Sequence, residues 1–391
     1  MRGAIGPLLA TFSIQTVAAV ALFGVAVIAP VAAPEIGVDA TMIGTFSAIV
    51  YGAGMLGGLL AGAFADRFGA IRVSQVLMVL ALLAVALLTL STPLAAIVSA
   101  IFLGFCYGPV NPVSTHILAR VTSRDLRPLF FSIKQTGMPA GAGIAGLLMP
   151  MVTAAFDWRA AILMAGVMAA AVALLIQPLR GRLDAVRQPT RMVRMRDVIE
   201  PVKLIWQNYH LRSLAIVGFV YSGVQVTVMT FYVVYLTAAL SLALTTAGLI
   251  FTLLQLGAIL GRLFWGAIAE RYLPAAPLLV GLGLVTGGLT VAAGLYDTGW
   301  PFWSVGLVSF ILGATSAGWN GIFFSELVKY APADQTGATA SGMQVFIMAG
   351  VAAMPPVFGV VVAALGDYRA AFAMVAAVMV AAAVHHRVVL R

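Results

Sequence analysis

Two cations stand inside otherwise apolar stretches of this chain, Lys134 and Arg262. Placing an ammonium or guanidinium at membrane depth costs at least ~2.5–3.5 kcal/mol even on the mildest insertion scale, so such residues mark function by default. No acidic residue lies close enough in sequence to neutralise either one. An anionic ligand would do so, since arginine offers a planar fork to a carboxylate and lysine a point charge. Amide side chains accompany them in the apolar stretches: Gln15, Asn111, Gln135, Gln225, Asn320 and Gln344. Amides there can hydrogen-bond a carboxylate or a hydroxyl, or they can bond between helices, which is worth ~0.6 kcal/mol on average. For Asn111, between Pro109 and Pro112, repair of the broken helix backbone is an equal alternative. For Lys134, six residues past Pro128 and so ~9 Å into its helix, the alternative is snorkelling to the membrane surface. For Arg262, ~12 Å from Glu270 along its helix, it is a structural pair with Glu326 or backbone carbonyls.

The amides recur at a near-constant spacing. Gln15 matches Gln225 at an offset of 210, Asn111 matches Asn320 at 209, and Gln135 matches Gln344 at 209. Gly62, Asp66 and Arg67 match Gly266, Glu270 and Arg271 at 204. Asp157, Arg159, Ala160 and Ala161 match Asp367, Arg369, Ala370 and Ala371 at 210. Scarce polar residues do not align in order by chance, so the second half repeats the first. The two cations break the repeat: Lys134 maps onto Met343 and Arg262 onto Gly58.

The elements that carry these residues follow from composition. The chain of 391 residues is 62% hydrophobic and 9% charged, with mean hydropathy +1.05, which no soluble globular domain matches. Apolar runs of ~20 residues recur from end to end, the pattern of a polytopic α-helical membrane protein. The alternation of a membrane β-barrel is absent. The first apolar run is too long for a cleavable signal peptide and reads as a membrane helix. A single cysteine, Cys106, excludes an internal disulfide. Twelve spans are expected, near 8–33, 41–65, 72–91, 94–120, 128–155, 158–177, 213–236, 244–270, 274–295, 300–328, 336–364 and 368–389. The chain then divides into a six-helix bundle over 1–178, a linker over 179–212 and a second six-helix bundle over 213–391.

The net charge of +9 reports topology instead of a nucleic-acid partner. Of the 22 lysines and arginines, 18 fall on one side of the twelve spans and only Arg159 and Arg369 on the other. The positive-inside rule then puts both termini in the cytoplasm of a multi-pass inner-membrane protein. The stretch 178–212 is the one long polar connection, with eight basic residues and Pro178, Pro189 and Pro201. Its later part, from Met192 to Trp206, mixes basic and apolar residues, as a segment lying on the membrane surface or a solvated linker held near anionic lipid would.

After span 2 stands Gly62-Ala63-Phe64-Ala65-Asp66-Arg67-Phe68-Gly69-Ala70-Ile71-Arg72. This resembles the loop 2–3 signature of the major facilitator superfamily, G-x-x-x-D-R-x-G-x-x-R. The span count, the central linker and the degenerate second copy after span 8 resemble the same family. The resemblance implies an all-α membrane fold of twelve transmembrane helices in two pseudo-symmetric six-helix halves, with the substrate near the midplane. It implies a latch on the basic face built from Asp66, Arg67 and Arg72, with Asp66 contacting span 11, and a weaker copy at Glu270 and Arg271. In that copy Leu273 replaces the second glycine. The Arg262 segment, Gly261-Arg262-Leu263-Phe264-Trp265-Gly266, is similar to the span 8 segment of oxalate/formate antiporters and monocarboxylate transporters, whose arginine binds the substrate carboxylate. The chain departs from proton-coupled drug exporters of the family. Gly104 stands where they carry an arginine, Gly137-Met138-Pro139 interrupts their span 5 signature, and no acid lies at depth in spans 1, 4 or 7.

The reading is a secondary transporter of a small organic anion, a mono- or dicarboxylate, by alternating access. Arg262 and Lys134 neutralise the substrate. Gln15, Asn111, Gln225, Asn320, Gln135 and Gln344 orient it. Coupling is either proton symport through the substrate's carboxyl or anion exchange. The alternative is an exporter of amphipathic drugs or metabolites. An enzyme is not expected, since there is no HExxH, no histidine cluster and no membrane carboxylate pair. No cofactor, metal or nucleic-acid partner is expected, and a monomer in the lipid bilayer is. Tyr221, Tyr232, Tyr235 and Trp319 read as packing residues that could also wall a cavity. The glycines of Gly54-xxx-Gly58-xxx-Gly62 read as sliding surfaces, His116 as a surface residue, and His385 and His386 as flanking residues.

Overall fold

The computed structural model describes residues 2–123, 126–185, 196–332 and 335–389. Arg124, Arg391 and the linker stretch 186–195, with Pro189 and Met192, lie outside the described residues. Among those described the chain is all-helical, and twelve helices are long and apolar enough to cross a membrane. In hydrocarbon every backbone N–H and C=O must be satisfied within the segment, which is why runs of this composition become helices. Large apolar side chains on their outer faces stay exposed, such as Leu56, Val76, Leu94 and Val360, as a lipid-facing surface requires.

Spans 1–4 are α1 (Arg2–Ile36), α2 (Ile43–Phe68), α3 (Ala70–Leu88) and α4 (Pro93–Val121). Span 5 is two helices, α5 (Arg127–Gln135) and α6 (Gly137–Ala155), and span 6 is α7 (Trp158–Leu175). The short α8 (Arg180–Leu183) and α9 (Arg196–Gln207) belong to the linker. Spans 7–12 are α10 (Tyr209–Leu240), α11 (Leu244–Arg271), α12 (Ala275–Gly294), α13 (Phe302–Tyr330), α14 (Thr336–Leu365) and α15 (Tyr368–Val389). Local chemistry sets the starts: the Thr92 hydroxyl accepts from Ala95 N ahead of Pro93, Asp157 accepts from Ala160 N, and Asn208 accepts from His210 N and Leu211 N. The break in span 5 is chemical too. Pro139 has no N–H for the Gln135 carbonyl, and the Thr136 N–H closes a tighter turn onto Ile133 O at 3.1 Å.

The chain divides into two compact units, Met1–Ala40 with Ile49–Val193, and Thr41–Ala48 with Arg194–Arg391. In the first, α1 lies along α6, and α3 packs on α4 and α7. In the second, α10 lies along α14, and α12 packs on α13 and α15. By the 209–210 offset these are the same three pairings, so the repeat in the sequence is a repeat of packing.

Two sequence expectations change here. The glycines of α2 do not form a sliding surface: Gly54 and Gly58 bring α2 against Gly104 and Gly108 of α4, inside the first unit. A Cβ at Gly104 would stand 2.7 Å from Ala53 Cβ. No side chain fits there, which gives a steric reason for the missing arginine. The second change is α9, which is not free on a membrane surface. Ile205 is fully buried, Pro201 and Ile205 lie on Gly342, and the Trp206 ring stacks on Phe346 of α14 at 6.1 Å. Glycine at 342 leaves room for that docking.

Candidate functional site

Lys134 is fully buried, at 0% exposure, in the last turn before the break in span 5. It does not snorkel. Its ammonium bonds the Asn111 side-chain Oδ1 and lies 3.5 Å from the Asn111 carbonyl, both on α4. No carboxylate pairs with it among the described residues. An amide dipole solvates a buried cation only in part, and breaking such a contact leaves an uncompensated charge.

Gln135, the next residue, accepts at its Oε1 from Gln15 Nε2 of α1 at 3.1 Å. The Gln15 side chain is 6% exposed, and its own Oε1 has no hydrogen-bond partner among the described residues. Gly137 explains how α1 comes so close, since a Cβ there would meet Gln15 Cβ at 3.3 Å and the Thr16 hydroxyl at 3.2 Å. One turn along α4 from Asn111, Tyr107 packs edge-on against Tyr51 of α2, with ring centres 6.0 Å apart. The Tyr51 hydroxyl is buried and also lacks a partner among the described residues. A buried polar atom left unsatisfied costs about 1–3 kcal/mol, so the first unit keeps several such costs beside its cation.

The second unit treats the repeat positions differently. Gln225 accepts at its Oε1 from the Trp319 indole N–H at 3.1 Å, not from Gln344. Asn320 donates to Ala317 O at 3.2 Å. Met343 is buried where the first unit has Lys134. Arg262 is half-buried on α11, and the carboxylate considered as its structural partner, Glu326, takes Lys329 at 2.6 Å. Tyr221, Tyr232 and Tyr235 are packing residues, and Tyr235 also borders a pocket with Tyr296, Tyr368 and Arg369. All three are buried, with hydroxyls on Leu279 O, Ser309 Oγ and Ala293 O.

On the basic face Asp66 lies 3.6 Å from His116 Nε2 and 3.7 Å from Arg120, one turn apart on α4. His116 is therefore not a free surface residue. Its partner comes from span 2, and no spacing within span 4 reveals it. A second carboxylate completes this end: buried Asp184, just after α8, accepts from Ile71 N at 2.9 Å and Arg72 N at 3.1 Å and so caps α3. Gly69, at φ +96, has no room for a Cβ because Asp184 fills that space. Nothing in the sequence ties Asp184 to Gly69 across 115 residues. Arg67 lies over the Phe68 ring at 5.2 Å, while Glu270 is exposed at the end of α11. On the opposite face Arg159 is paired with Glu35 at 2.7 Å and with the Ser91 hydroxyl at 2.7 Å. His386 is buried and bonds the Ser213 hydroxyl at 2.9 Å, so it is no flanking residue.

One more polar residue went unnoticed in the sequence. Gln255, two turns before Arg262 on the same face of α11, is 1% exposed, with neither amide atom partnered among the described residues. By the offset of 204 it corresponds to Tyr51, so both units hold an unpartnered buried polar group at the same repeat position. A glutamine inside the apolar run 244–270 was the available signal.

The sequence profile described as Major Facilitator Superfamily matches residues 11–347 and, separately, 214–391. No match was found among curated protein sequences. Solved structures share the fold, among them these three. A mutant of the nucleoside transporter NupG superposes with TM-score 0.81 at 16% identity, covering 98% of this chain and 100% of that one. The peptide transporter POT in complex with sulfate gives 0.78 at 18% identity, covering 98% and 93%. A bacterial homolog of the human lysosomal transporter Spinster gives 0.73 at 14% identity, covering 98% and 96%.

Proposed function

Because the chain belongs to the Major Facilitator Superfamily, we propose that this membrane transporter carries a small organic anion, a mono- or dicarboxylate, by alternating access. The observation that supports the reading is Lys134, fully buried and held by the Asn111 amide with no carboxylate beside it among the described residues. A bound carboxylate would neutralise that ammonium in a low-dielectric setting, where a charge-assisted bond is strong. Lys134 and Arg262 are the charge-compensating residues of the proposal. Asn111, Gln15 and Gln135 orient the ligand in the first unit; Gln225, Asn320 and Gln344 are their repeat equivalents. Binding that relieves the cation's desolvation stabilises the occluded state and so favours the switch. With no acid at depth in spans 1, 4 or 7, the coupling is symport of the substrate's own proton or exchange of one anion for another.

In this proposal the gate lies on the basic face, in the cytoplasm, and the protein sits in the inner membrane as a monomer with both termini inside. Asp66, Arg67 and Arg72 form its principal half, with Glu270 and Arg271 as the weaker copy. Asp66 holds His116 and Arg120 in the state described, and its release from them accompanies the switch.

The test is thermal unfolding of the purified protein across a panel of small carboxylates, with Lys134→Gln and Arg262→Gln in parallel. A ligand that binds only the folded state raises its apparent stability by mass action. Stabilisation by a carboxylate that either substitution abolishes supports the proposal. A response to lipophilic cations or neutral amphiphiles and to no carboxylate overturns it in favour of an exporter.

A further inference from the structure

The first unit holds more polar surface than a plain carboxylate can satisfy. Lys134 accounts for the ligand's charge. Two further buried atoms have no partner among the described residues: Gln15 Oε1, an acceptor only, and the Tyr51 hydroxyl, a donor and an acceptor. Each contacts a residue close in the chain to Lys134 or to Asn111. Gln15 bonds Gln135, the chain neighbour of Lys134, whose Cα lies ~3.8 Å away. Tyr51 packs on Tyr107, one turn along α4 from the asparagine that holds Lys134.

An ionised monocarboxylate brings only acceptors and cannot serve Gln15 Oε1, and its protonated form loses the charge that Lys134 binds. The ligand must also carry a donor. An ammonium is the poor choice, since it would meet the Lys134 charge and find no acid at depth in spans 1, 4 or 5. A hydroxyl donates without charge, and its oxygen can accept from Tyr51.

We infer that the substrate is a hydroxycarboxylate: a small carboxylic acid with a hydroxyl near its carboxyl, the carboxylate on Lys134 and the hydroxyl between Gln15 Oε1 and the Tyr51 hydroxyl. This assignment rests on the organic-anion reading and makes Gln15 and Tyr51 the residues that set specificity. A buried acceptor that loses its donor penalises the analogue without the hydroxyl, which is how a polar site rejects a near-isostere.

The experiment compares skeleton-matched pairs on the purified full-length protein: lactate with propionate, malate with succinate, gluconate with hexanoate. Affinity is read from ligand-dependent thermal stabilisation and from competition for uptake in proteoliposomes. The hydroxylated member of the transported pair is expected to bind at least about tenfold tighter, ~1.4 kcal/mol. Gln15→Leu and Tyr51→Phe should each bring that ratio towards one, because each weakens the hydroxylated member more than the plain acid. Equal binding of both members by the wild-type protein overturns the inference and leaves the anion reading standing. A hydroxyl preference that survives both substitutions overturns the assignment to Gln15 and Tyr51. Failure of every carboxylate, hydroxylated or plain, to bind the wild-type protein removes the anion reading itself.

Discussion

Asn111 gives the sharpest test of how this protein keeps a cation inside a membrane. Lys134 is fully buried and its ammonium has one side-chain acceptor, Asn111 Oδ1, among the described residues. Asn111→Leu removes that acceptor and leaves the charge, which costs about 3 kcal/mol by the measure of a buried charge that loses its partner. In a Lys134→Met background the cation and its bond to Asn111 are both gone, and the same substitution should cost less than the ~0.6 kcal/mol of an average interhelical bond. Met343 shows that methionine fits the equivalent position of the second unit. Lys134→Met alone leaves an Asn111 amide that is itself exposed, at little cost, and removes a cation that costs ~2.5–3.5 kcal/mol at membrane depth. The single variant should therefore be no less stable than wild type. Equilibrium unfolding of the four proteins in detergent, without ligand, gives the coupling free energy directly. The expected coupling is about 2–3 kcal/mol, with the doubly substituted protein more stable than Asn111→Leu. Equal costs of Asn111→Leu in both backgrounds, within ~0.5 kcal/mol, would refute the account of Lys134 as a charge solvated by Asn111.

Other positions separate packing from function. Gly104→Ala should lower stability by about 1–3 kcal/mol, because its Cβ would press on Ala53 across the α2–α4 contact. Gly52→Ala on the same helix as Ala53, with open space around it, should instead gain up to ~1 kcal/mol, and a pair of melting curves checks both. Asp184→Ala should cost ~1 kcal/mol through the lost cap and speed amide hydrogen exchange in the first turn of α3, with α12 unchanged as the internal reference. Gly342→Leu should push α9 off α14, seen as faster proteolysis within 196–207, whereas unchanged cleavage would contradict the docked position. Arg159→Ala should change stability by less than about 1 kcal/mol, since its partner Glu35 is half exposed and the pair is screened.

The fold was legible in the chain because its signals are local or periodic. Apolar runs of ~20 residues force helices in hydrocarbon whatever their neighbours, and the offset of about 210 between Gln15 and Gln225 exposes the repeat before any packing is known. The same logic found Lys134, since a cation in an apolar run is costly wherever the run goes. What the lysine does with its charge was not legible. Depth arithmetic allowed it to snorkel, and only its contact with Asn111, 23 residues away on another helix, decides otherwise.

The residues that sequence reasoning missed have partners that no spacing rule connects. His116 looked like surface until span 2 brought Asp66 to it, and Asp184 looked like linker until it capped α3. Gln225 was matched to Gln15 as a repeat position, yet one bonds Trp319 and the other Gln135, because side chains that differ between the halves are nearer at hand. The sequence by itself determined the helices, their number, the repeat and the presence of a buried charge, all consequences of transferring chain from water to lipid one segment at a time. Tertiary structure alone decided which polar atoms are satisfied. A hydrogen bond needs two groups within about 3 Å, and in a helical membrane protein those groups come from different segments.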